Sequence, residues 1–110
     1  MPKFLIRGSY TAESMKAMMG NPGDRSKVAS SLAEGVGGRM EAFYWAFGED
    51  DWVAIADLPD DASAGAISDA LSASGSMKAV RTTRLITMDE VHQMLEKARG
   101  EADRYVMPGR

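Results

Sequence analysis

Residues 43–61, FYWAFGEDDWVAIADLPDD, constrain the fold more than any other stretch of the chain. Two alternating aromatic and apolar runs flank a short acidic turn, Gly48-Glu49-Asp50-Asp51. Period-two alternation on both sides of such a turn reads as a β-hairpin, because Gly48 can take positive φ and the aspartates tolerate turn geometry. The strands span residues 39–47 and 52–58. On the first, Met40, Ala42, Tyr44 and Ala46 fall on one face. Phe43, Trp45 and Phe47 fall on the other, with Arg39 and Glu41. On the second, Trp52, Ala54, Ala56 and Leu58 oppose Val53, Ile55 and Asp57. Large apolar groups therefore stand on both faces, and a sheet built on this hairpin has to be covered on both sides.

The flanking segments supply the cover for one side. Residues 3–9 are apolar, end at Gly8-Ser9 and read as a strand. Thr11 is a helix N-cap with Glu13 in the first turn, and the breakers of Gly20-Asn21-Pro22-Gly23 end that helix. A second helical segment begins at Asp24. Its stripe contains Val28, Leu32 and Val36 with Ala29 and Ala33, and Gly35, Gly37 and Gly38 terminate it. Pro59-Asp60-Asp61 ends the hairpin and opens a helix with Ile67, Ala70 and Leu71 on one side, closed by Gly75. Residues 79–86 form a fourth strand. Thr87-Met88-Asp89-Glu90 is a capping box, and its helix carries Val91, Met94, Leu95 and Ala98 before Gly100.

The order is β-α-β-β-α-β plus a terminal helix. It predicts an α+β, ferredoxin-like domain: a four-stranded antiparallel sheet with helices on one face. One such domain accounts for residues 1–100, leaving 101–110 as a C-terminal tail. A chain of 110 residues has enough core for this without staples. Pairing of two open sheet faces into a barrel is the natural way to cover the second side, so at least a homodimer is expected, with Phe43, Trp45 and Phe47 at the interface.

The same hairpin carries a family resemblance. GGRMEAFYWAFGEDDWVAIADLPDD, followed by VRTTRLITMDEV, resembles the GYD domain family, which belongs with the dimeric α/β-barrel proteins. The resemblance runs over residues 3–98 and implies the ferredoxin-like unit and oligomeric assembly. It implies no particular reaction. The family is named for Gly-Tyr-Asp at the turn. Here Asp50 stands where that tyrosine is expected, between Glu49 and Asp51, so a tyrosine hydroxyl is not at hand for proton transfer. The turn reads as structural.

Composition narrows the functions further. The absence of cysteine removes disulfides, thiolate metal sites and Cys nucleophiles, and fits a reducing cytoplasm. The net charge is −3 with scattered basic residues, which argues against nucleic acid as a partner. The short apolar run at the N-terminus does not read as a signal peptide, and no stretch approaches a membrane span. The acidic turn lacks the spaced alternation of a calcium loop, so no metal is expected. His92, the sole histidine, reads as a surface residue within reach of Glu96 one turn on. Pro2 is a tautomerase-like base only in a chain of two similar halves, which this is not. Nine methionines read as flexible core filling.

Two function classes remain. The first is a small-ligand-binding or interaction module, without cofactor. The second is a cofactor-independent monooxygenase or isomerase of the dimeric α/β-barrel type. The first leads, because no nucleophile–base pair can be assembled from these residues. Candidate ligand-binding residues are Arg7, Trp45, Asp57 and Arg84. Arg7 and Trp45 are read as receiving a small organic acid, with a competing internal Arg7–Asp57 ion pair.

Overall fold

The computed structural model describes residues 1–110. The element order is β1 (Lys3–Tyr10), α1 (Ala12–Gly20), α2 (Arg25–Gly35), β2 (Arg39–Trp45), β3 (Trp52–Asp57), α3 (Asp61–Ala73), β4 (Met77–Leu85) and α4 (Met88–Arg104). The strands form one antiparallel sheet in the order β2-β3-β1-β4, the ferredoxin-like arrangement expected from the sequence.

Local chemistry explains the element ends. Thr11, Asp24 and Asp60 each accept a first-turn amide at an N-cap, from Ser14, Ser26 and Ser63 respectively. Thr87 and Glu90 form the reciprocal capping box. The last helix, however, does not stop at Gly100. It continues to Arg104, because one glycine costs only about 1 kcal/mol in a helix interior and the chain around it favours helix.

The core lies between the sheet and its helices. Phe4 and Ile6 of β1 point to that side, as do Trp52, Ala54 and Ala56 of β3 and the adjoining Leu58. Alanines at 54 and 56, facing Ala33 of α2 and Ala64 of α3 across the core, keep the layers close. Burying a side chain such as Phe4 or Ile6 contributes about 1.5–3 kcal/mol each.

One irregularity changes which residues share a face. In β2, Met40 pairs with Ala56 but Ala42 pairs with Ile55, so Glu41 is an extra residue in a β-bulge. Strict alternation is broken there. Met40, Phe43 and Trp45 lie on the side of Ala56, Ala54 and Trp52, towards the helices. Ala42 and Tyr44 lie with Ile55 and Val53 on the open side. The expected set of Phe43, Trp45 and Phe47 on one open face is therefore not formed. Phe43 packs on the core, Trp45 stands half-exposed at its edge, and Phe47 lies in the turn beyond the strand, fully exposed.

The fourth helix stands apart. It has no buried residue, and Met88, Met94 and Leu95 are exposed. The radius of gyration, 18.0 Å, exceeds the roughly 13 Å of a compact chain of this length because α4 projects from the body.

Candidate functional site

The open face of the sheet has an apolar centre between two charged ends. Leu5, Val53 and Ile55 are half-buried at the centre, and Tyr44 is exposed beside them. At one end, Asp57 accepts from Lys3 Nζ at 2.7 Å and from Arg39 at 3.0 Å, while Glu41 lies 2.9 Å from Lys3. At the other end, the register sets Arg7 directly against Arg81, two cations in adjacent strands. The acidic turn compensates them. Glu49 accepts from Arg81 at 2.8 Å, and Asp50 lies 3.6 Å from Arg81 and 3.9 Å from Arg7.

That arrangement answers what the turn is for. Ser9 Oγ donates to the Glu49 carbonyl, the Asp51 amide donates to the Gly8 carbonyl, and the Asp51 carboxylate accepts from the Tyr10 amide at 2.8 Å. The turn is folded back onto the central strand and the opposite edge. Asp50 is a counter-ion to Arg81 and Arg7.

The charges at the first end set an expected pH response. Hydrogen bonds from Lys3, then Arg39, hold the Asp57 carboxyl below the ordinary carboxylate range, and the same contact raises Lys3. A carboxylate depressed in the folded state contributes stability above its unfolded value of about 3.9, and loses it as pH falls through the lower folded value. The melting temperature is therefore expected to be flat near neutrality and to fall below about pH 4. Asp57→Asn is expected to lower the neutral-pH melting temperature slightly and to flatten that acid limb. Thermal melts across the acid range check both.

Between the sheet and α2 lies a cleft of about 40 Å³. Its floor includes Ile6, Phe43 and Trp52, and its walls include Ala29 and Leu32 of α2 and Leu71 of α3. Phe43 and Trp52 are stacked, with centroids 5.9 Å apart, and the Trp52 indole donates to the Met77 sulfur at 3.4 Å. Arg25, at the start of α2, is the one charged residue in the lining. Outside the cleft runs a groove of about 600 Å³ between α1, the α1–α2 connection and the end of β2. Met15, Met18, Met19 and Trp45 line it, and it shares Arg25 and Phe43 with the cleft. Trp45 is held at the rim against Tyr10, with centroids 5.8 Å apart.

The sequence-predicted ligand residues do not converge. Arg7 and Asp57 are on the open face but at opposite ends, and the expected Arg7–Asp57 pair is not formed. The register places Lys3 against Asp57 and Arg7 against Val53. Arg84 lies on the helix side, opposite Phe4, and bonds Glu90 of the capping box at 3.0 Å. Trp45 alone borders a concave space. His92 is exposed on α4. Arg25 and the methionines of α1 escaped sequence reasoning. The only available signal was an arginine beside a helix cap, which is commonplace.

A four-stranded antiparallel sheet in the order β2-β3-β1-β4, with helices on one face and the other face open, defines an α+β protein of the ferredoxin-like fold class. A family model of the GYD domain matches residues 4–95, and the chain belongs to the GYD domain family. Among solved structures, it is similar to the crystal structure of FFRP-DM1, with a TM-score of 0.54 and 14% identity, covering 78% of this chain and 100% of that one. It is also similar to At3g17210 from Arabidopsis thaliana, with a TM-score of 0.45 and 12% identity, covering 80% of this chain and 96% of that one. At such identities the likeness to FFRP-DM1 speaks to the fold alone. No curated protein matches the chain.

Proposed function

We propose that this GYD protein is a small-ligand-binding module that works as at least a homodimer, its open sheet faces packed together. The observation that carries this reading is the two-sidedness of the sheet. One side is roofed by helices over an apolar cleft. The other presents Leu5, Val53, Ile55 and Tyr44 between two ion-paired ends. Pairing the open faces buries the apolar centre and leaves the charges at the rim, where they cost little. Met94 and Leu95 of α4 are exposed apolar groups as well, open to contact with a partner copy. No helix is long and apolar enough to cross a membrane. A cysteine-free chain fits a reducing cytoplasm.

Native mass spectrometry of the purified full chain tests the assembly and reports any retained ligand in the same spectrum. A species of twice the chain mass, or a higher even multiple, is the expected result. A monomer persisting at tens-of-micromolar concentration, about the range where a specific interface of standard size is occupied, overturns it.

A further inference from the structure

We propose that the cleft beneath α2 binds a short aliphatic carboxylic acid, with its chain against Phe43 and Trp52 and its carboxylate on Arg25. This rests on the ligand-binding half of the reading above and names the class of ligand. Thirteen of the fourteen lining residues are apolar or aromatic, and the fourteenth is Arg25, so the cleft matches a molecule with an apolar body and one anionic group.

The state of Arg25 points to what is missing. Its Nε is shut off from solvent and makes no hydrogen bond, a state it shares with Arg7 Nε, so what sets Arg25 apart is the lack of a counter-ion. No carboxylate of the chain lies within ion-pair reach of its guanidinium, whereas Arg7, Arg39, Arg81 and Arg84 each have one. The adjacent Asp24 is committed elsewhere, accepting from both the amide and the hydroxyl of Ser26. A buried N–H without a partner costs about 1–3 kcal/mol, and a guanidinium presents a fork that a carboxylate fits with two bonds. Arg25 also borders the outer groove, so a solute arriving between α1 and α2 meets the cation before it reaches the apolar floor.

The volume sets the size. A water molecule needs about 10–15 Å³ on this scale, so about 40 Å³ admits a chain of a few carbon atoms and not a long acyl tail. An acid such as pentanoate fits this description. A longer chain has to lie in the open groove, without the stacked Phe43 and Trp52 around it.

Calorimetric titration of the full chain with pentanoate, pentanamide and pentanol tests the assignment. Pentanoate is expected to saturate at one per protomer and to bind about tenfold or more tighter than the amide, the value of a charge-assisted hydrogen bond. Arg25→Gln, checked for unchanged circular dichroism, is expected to erase that preference while leaving the weak binding of the amide. Ala29→Leu fills the cleft and is expected to abolish both. Arg7→Gln is expected to leave pentanoate binding unchanged. If pentanol binds the wild type and pentanoate binds no tighter, the acid assignment falls while the ligand-binding module stands. If none of the three binds, both fall. Pentanoate binding that survives Arg25→Gln, or that is lost in Arg7→Gln instead, puts the site elsewhere and overturns the inference.

Discussion

Gly8→Ala is expected to lower stability by about 3 kcal/mol, the upper part of the range for overpacking a closed core. A Cβ on Gly8 would lie 2.4 Å from Cζ2 and 2.5 Å from Cε2 of Trp52, in the buried body of the indole. That ring cannot step aside cheaply. It is 4% exposed, stacked on Phe43 and bonded to the Met77 sulfur. Moving it disturbs three strands together and closes the cleft floor. For a domain of this length the loss corresponds to more than about 10 °C in melting temperature. Trp52→Leu also weakens the core, but Gly8→Ala added to Trp52→Leu is expected to cost much less than the sum of the two, because the smaller side chain frees the space. Thermal or denaturant melts of the four proteins check this. A Gly8→Ala variant melting within a few degrees of wild type would show that the contact is relaxed by a small shift.

Ile55→Asp is expected to convert the assembly to monomers while leaving the fold intact. Ile55 sits mid-strand on β3, between Leu5 of β1 and Ala42 of β2, on the face that the helices leave bare. In the free protomer it is only half-buried, so a carboxylate there reaches water. Within a sheet-to-sheet interface the same carboxylate has no cation at hand, since Lys3 and Arg39 already serve Asp57 and Arg7 and Arg81 serve Asp50. Desolvating an unpaired charge costs several kcal/mol, enough to weaken association by about a thousandfold or more. Sedimentation velocity reads the mass and circular dichroism reads the helices. Trp45→Asp, at the cleft rim and on the other side of the sheet, is expected to leave the mass unchanged. If Ile55→Asp sediments like wild type, the open face is not the interface.

These two variants mark where sequence reasoning was sufficient and where it was not. The helix caps at Thr11, Asp24 and Asp60 and the Thr87–Glu90 box were readable because each depends on residues within one helical turn. The strand pattern of β1 and β3 was readable for the same reason, and Phe4 and Ile6 take the helix side together. The alternation of β2 misled because a bulge needs only one extra residue, and Glu41 carries no mark that separates it from an ordinary strand position. That single insertion moved Phe43 from the presumed interface to the cleft and Trp45 to the groove outside it. Likewise, nothing local announces that Arg25 is without a counter-ion, since its partners are defined by what α2 packs against.

What the sequence determined by itself was the order of elements, their caps, the antiparallel sheet with helices on one side, and membership of the GYD family. Periodicity, capping and turn chemistry are short-range, so they survive being read along a line. What only the tertiary structure decided was the pairing of charges and the location of the concave space. Arg7 was placed beside Asp50 and not Asp57, and Asp57 beside Lys3 and Arg39. These depend on strand register and on the layer of helices above it, and a shift of one residue in either re-assigns every partner across the sheet.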